Sequence, residues 1–139
     1  MITLKYVLYA ILCGSAYLLT ITVVLHVVEK WLKLTSVMPR QFVESVGIGW
    51  TLMNFVTESV FYVLIPTMAY SFFYFVIPFS GLRAGLAAAL FAFVIGAVPL
   101  VIGLTLRVKI PALYLLWVLL SHLLKLGGSL AVIGWLYTV

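Results

Sequence analysis

The chain has no aspartate, a single asparagine (Asn54) and a single cysteine (Cys13) among its 139 residues. Without aspartate, no Ser–His–Asp set can form around Ser15, Ser121 or Ser129. One cysteine cannot close an intrachain disulfide, and with only two histidines it leaves too few donors for zinc. No G-x-x-x-x-G-K-[ST] run occurs, and Gly47-Ile48-Gly49 lacks the rest of a dinucleotide fingerprint. Charge is scarcest of all: 8% of residues carry it, against roughly a quarter in soluble domains. A water-soluble globule is excluded, no cofactor or metal is predicted, and an enzyme has the weakest case.

Apolar residues make up the balance, 66% of the chain. They fall into four segments, 4–28, 47–77, 82–106 and 111–137, each long enough for the roughly 20 residues a bilayer span needs. Lipid cannot hydrogen-bond bare backbone, so runs of this length must be helices. The alternating ten-residue strands of a membrane barrel do not appear. The predicted fold is therefore all-α: one domain, 1–139, forming an integral membrane four-helix bundle. The run after Lys5 is too long for a signal-peptide core and no A-x-A-like site follows it, so the first segment is expected to remain in the mature protein.

Tight connections at 78–81 and 107–110 predict an up-down-up-down order of antiparallel neighbours. The first loop, 29–46, is longer and carries Trp31 and Phe42 beside Lys30, Lys33 and Arg40, a pattern suited to lying in the membrane interface. Within it, Arg40 and Glu44 are spaced to pair on a short helix starting at Pro39. Segment two is longer than a straight span requires, so Pro66 is expected to kink it. Its aromatic end, Tyr70, Phe72, Phe73, Tyr74, Phe75 and Phe79, reads as an aromatic belt at head-group level.

The net charge of +5 arises from basic residues scattered at segment ends, which predicts contact with lipid head groups and no nucleic acid. Lys30, Lys33, Arg40, Arg107 and Lys109 outnumber Lys5, Arg83 and the α-amino group on the opposite side. The positive-inside bias then places loops one and three in the cytoplasm and both termini outside, in a cell (inner) membrane. Gly81, Gly85, Ala89, Ala92, Gly96 and Gly103 recur on approximately one face of segment three, a stripe for close helix packing.

Glu58 and Lys125 are the only charged residues well inside apolar segments. A charge at mid-membrane costs about 2.5–3.5 kcal/mol on an insertion scale, so each should seek a partner. Counted from the same side, both sit at similar depth, as does His122. Asn54, Glu58 and Tyr62 share one helical face, and His122, Lys125 and Ser129 share another. The two polar stripes are predicted to meet across the bundle, and Asn54 is expected to find a hydrogen-bond partner. His26 and Glu29 lie near the inner end of segment one and are candidates for a cytoplasmic mouth. Their depth differs from that of His122, which argues against bis-histidine haem ligation within one chain. The first functional expectation is a non-catalytic accessory or assembly subunit of a membrane complex, with lipid and other subunits as partners. The alternative is a small self-associating transporter or channel, with Glu58, Lys125 and His122 as a proton- or ion-coupled site.

Overall fold

The computed structural model describes residues 4–43, 45, 47–73, 76, 78 and 80–137, with backbone alone for Phe42 and Phe73. Its architecture is all-helical, with four helices long and apolar enough to cross a membrane: Leu4–Trp31, Ile48–Phe72, Gly81–Arg107 and Ala112–Leu136. The first runs one turn past the expected boundary, so Glu29, Lys30 and Trp31 are helical and not part of the loop. It stops where Lys33 turns left-handed at φ 51. Two short 3₁₀ turns, Leu34–Val37 and Arg40–Phe42, follow in the connection. The proposed Arg40–Glu44 pair lies outside the described residues, as does the side chain of Phe42.

The fourth helix is the centre of the assembly. It packs along the first helix and along Gly81–Ala92 of the third. Its approach to the third is close because side chains are missing there. A methyl group at Gly85 would collide with the Leu130 carbonyl, and one at Gly134 would lie 2.6 Å from the Gly81 carbonyl oxygen. Gly81 opens the third helix at φ 67, a backbone angle that side chains resist. On the opposite flank the Tyr17 ring lies where a Gly128 side chain would be, and its hydroxyl donates to the Leu124 carbonyl at 3.0 Å. Gly85 meets Leu130 while Gly81 meets Gly134, so these two helices run in opposite directions past each other.

Two helices contain an interior proline, and each answers it the same way. Proline lacks an amide hydrogen and its ring clashes with the carbonyl four residues back. Ahead of Pro66 the helix widens into a π turn at Val60–Leu64, and ahead of Pro99 into another at Phe93–Ala97. A π turn inserts one residue and shifts the inward face by one position. In the second helix the inward residues step from Glu58 to Val63, then Thr67 and Tyr70, the last three being buried. In the third, the inward face moves from Ala89 to Val101 without passing through Gly96. The expected stripe is corrected from Ala92 onward, and at Gly96 the shift supplies the reason. Gly81, Gly85 and Ala89 are buried, whereas Ala92 and Gly96 are exposed and Gly103 has open space beside it.

The second helix is fastened at its C-terminal end. Ser71 Oγ donates to the Thr67 carbonyl at 2.8 Å and meets the Tyr137 hydroxyl at 2.5 Å. Tyr70 packs its ring on Tyr137 with centroids 5.1 Å apart. Tyr70 is thus only 6% exposed and belongs to the core, not to a surface belt, while Phe72 is 73% exposed. Of the remaining belt positions, the side chain of Phe73 and all of Tyr74, Phe75 and Phe79 lie outside what is described. At the other end, Ile48–Ser59 brings no Cα within 8 Å of the fourth helix. The second helix therefore stands away from its neighbour at the loop-one end.

A substitution pair tests the asymmetric stripe. Gly85→Ala is expected to cost about 1–3 kcal/mol, because the colliding atom is backbone and cannot rotate away. Gly96→Ala should leave stability unchanged or slightly raised. Unfolding of the detergent-solubilised chain by SDS titration reads both.

Candidate functional site

The gap left by the second helix is a half-open cavity of about 460 Å³, walled by the first, second and fourth helices. The polar residues of each wall follow the spacing of one helical face. The first helix contributes Leu19, Thr22, His26 and Glu29; the second, Thr51, Asn54, Phe55 and Glu58; the fourth, Tyr114, Trp117, Ser121, His122 and Lys125. Trp50 adds a second indole on the side of the second helix. Cavities of about 300–1,000 Å³, largely apolar with a few convergent polar groups, are the usual form of small-ligand sites.

One contact crosses the gap directly. Lys125 Nζ donates to Glu58 Oε1 at 2.6 Å, with side-chain exposures of 12% and 17%. No backbone of the first half of the second helix approaches the fourth, so two extended side chains make the bridge. Beside it the His122 ring meets Tyr62 edge-on, with centroids 5.7 Å apart and planes at 82°. Tyr62 lies in the π turn, one turn beyond Glu58. Glu58 is about 15 Å along its helix from Ile48 and Lys125 about 20 Å along its own from Ala112, at roughly 1.5 Å per residue. The pair therefore sits at the deep end of the cavity, with His26 and Glu29 nearer the end of the first helix.

Hydroxyl satisfaction varies along the helices, and among the described residues unmatched buried hydroxyls also occur away from the cavity, at Ser59, Thr67 and Ser129. Thr20, Thr51, Thr57 and Thr105 return their hydroxyl hydrogens to carbonyls of their own helices, which lets them sit on apolar segments at little cost. Three cavity-wall atoms have no such outlet. Thr22 Oγ1, Glu58 Oε2 and Ser121 Oγ are buried with no hydrogen-bond partner among the described residues. They come from three different helices. An unmatched buried polar atom costs about 1–3 kcal/mol, more when charged, so these three favour a guest or water.

The predicted residues divide as follows. Asn54, Glu58, His122 and Lys125 line one cavity, and His26 and Glu29 line it too. Tyr62 touches His122 from outside the wall. Ser129 is fully buried, its hydroxyl without a partner among the described residues, and does not line the cavity. The Asn54 amide has no hydrogen-bond partner among the described residues, because it borders open space and not another helix. Thr22 shares the His26–Glu29 face by its spacing, Ser121 was considered only as a catalytic serine, and Trp50, Tyr114 and Trp117 were not singled out from sequence. The series Tyr114, Trp117, Ser121, Lys125 at three- and four-residue spacing was the available signal. Comparison of the chain with protein-family models, curated proteins and solved structures gives no match.

A double-mutant cycle measures the bridge. Glu58→Gln and Lys125→Met are each expected to destabilise by about 3–5 kcal/mol, since each strands one buried charge. The double variant should recover most of that loss. Equal and additive losses in SDS unfolding would show that the two side chains do not interact.

Proposed function

We propose that the chain is a small polytopic membrane protein of the transporter or channel type, which takes a solute into the cavity between its first, second and fourth helices. The observation that carries this reading is the cavity itself. It is ligand-sized, open on one side, and ends at a charged pair in an otherwise apolar bundle. A charge inside a span marks a pathway or binding site by default, because its cost needs a return. Glu58, with Lys125 and His122 beside it, is the coupling site, and His26 and Glu29 form its mouth.

The membrane arrangement proposed is up-down-up-down, with Pro66 kinking the second span and the first loop in the interface. The basic residues near loops one and three put that end in the cytoplasm, so the cavity opens inward and both termini lie outside, in a cell (inner) membrane. Four spans alone rarely enclose a path, so transport requires self-association. The exposed Ala92–Gly96 surface of the third helix suits close helix contact and also favours a second reading, an accessory subunit packed against other membrane chains.

Reconstitution separates the two readings. In liposomes loaded with a pH-sensitive dye, the chain is expected to collapse an imposed proton gradient at least tenfold faster than empty vesicles. Glu58→Gln, read also in the Lys125→Met background that restores the lost stability, should abolish the excess. No flux, together with a stoichiometric partner chain in native purification, would instead establish the subunit reading. Access to the cavity is checked independently: with Cys13→Ser as background, Ser121→Cys is expected to react with a membrane-impermeant thiol reagent from the loop-one side, and Leu130→Cys is not.

A further inference from the structure

We infer that the occupant of this cavity is an amphiphilic organic ammonium, a protonated primary or secondary amine on an apolar or aromatic body. This rests on the reading of the cavity as a solute site and adds the chemistry of the solute. Among the described residues of the wall, Glu29, Glu58 and Lys125 carry formal charge. Counted as formal charges, two carboxylates against one ammonium leave a single net negative charge. The guest that balances it carries one positive charge.

Hydrogen-bond accounting agrees. Lys125 occupies Glu58 Oε1 at 2.6 Å, and Oε2 is buried with nothing to accept from among the described residues. A carboxylate oxygen can only accept, so the missing partner is a donor. The hydroxyls of Thr22 and Ser121, also unmatched, can accept as well. An ammonium with its own N–H groups supplies donors to such a set, which a quaternary nitrogen cannot. An anion would meet the opposite situation: Lys125, the one wall cation among the described residues, is already paired, and a guest carboxylate would lie beside Glu58.

The remaining wall explains the body of the guest. Trp50, Tyr114 and Trp117 present aromatic surface, whose ring faces attract organic cations and cover apolar carbon. A bare metal cation would neutralise the charge but leave most of the 460 Å³ unfilled. It would also want six or more oxygen ligands, which these rings cannot provide.

The test uses the full chain in nanodiscs of zwitterionic lipid, with empty nanodiscs subtracted, and four probes sharing one skeleton. These are 4-phenylbutylamine, its N,N,N-trimethyl derivative, 4-phenylbutanol and 4-phenylbutyrate. Tryptophan fluorescence and equilibrium dialysis are expected to show one amine bound per chain. The amine should bind at least tenfold tighter than the alcohol or carboxylate and at least threefold tighter than the trimethyl derivative. Glu29→Gln, at the rim, should weaken amine binding at least threefold, and Ser121→Ala at least twofold; both leave the Glu58–Lys125 bridge intact. Glu58→Gln should weaken it at least tenfold, measured also in the Lys125→Met background should the single variant unfold. Saturation by the alcohol or carboxylate as tight as by the amine would overturn the ligand class and leave a solute cavity standing. Absence of saturable amine binding overturns the assignment in either case. Labelling of Ser121→Cys then decides whether the cavity reading falls with it.

Discussion

Water offers a lone charge many partners; an apolar bundle offers only what the chain itself brings. Glu58 and Lys125 meet that constraint across a gap and not at a packed interface, 2.6 Å apart at the ends of two long side chains. They span the place where the second helix parts from the fourth: Val60–Leu64 approaches the fourth helix, and Ile48–Ser59 does not. Had the same need been met by short side chains, the helices would close and the cavity would vanish. The polar bridge and the open space beside it are therefore one structural fact. Burying an ion pair is seldom stabilising relative to apolar packing. Its presence here is explained better by the space it holds open than by the stability it adds.

On the far flank of the fourth helix the opposite device operates. Gly85 and Gly134 remove side chains so that backbones touch, and on the flank toward the first helix Gly128 makes room for the Tyr17 ring. Membrane helices gain little from hydrophobic exclusion, so such close van der Waals approach is the available source of cohesion. One helix thus serves as a rigid spine with a tight seam on one flank and a wide one on another. The end of the second helix, tied through Ser71 and Tyr137, keeps that wide seam from running the whole length.

How much of this the amino-acid order reveals depends on the periodicity involved. The four spans are legible because hydrophobic length is a property of composition, and their ends match to within a few residues except after Phe73. The proximity of Glu58, Lys125 and His122 follows from counting depth along straight helices, which tolerates an error of one residue. The face of the third helix does not tolerate it. A 3.6-residue repeat carried through Phe93–Ala97 assigns Gly96 to the seam, and the inserted residue turns it outward. Each π turn was foreshadowed by a proline, but the proline marks only that a hydrogen bond is lost, not how the helix re-forms. The cavity was invisible for another reason: it depends on the second helix diverging, a property of tertiary packing that no single helix encodes. Its aromatic wall at Tyr114 and Trp117 reads, in isolation, like any apolar stretch.

A cavity that opens at one end makes the molecule vectorial. In the membrane arrangement proposed above, it would sample a single compartment, chosen by the lysines and arginines at the ends of the spans. Inverting the chain would change no distance within it, yet would present Glu58 and its neighbours to a different aqueous phase, with its own acidity and solutes. Two chains side by side in opposite senses would face both phases at once, each supplying the opening the other lacks.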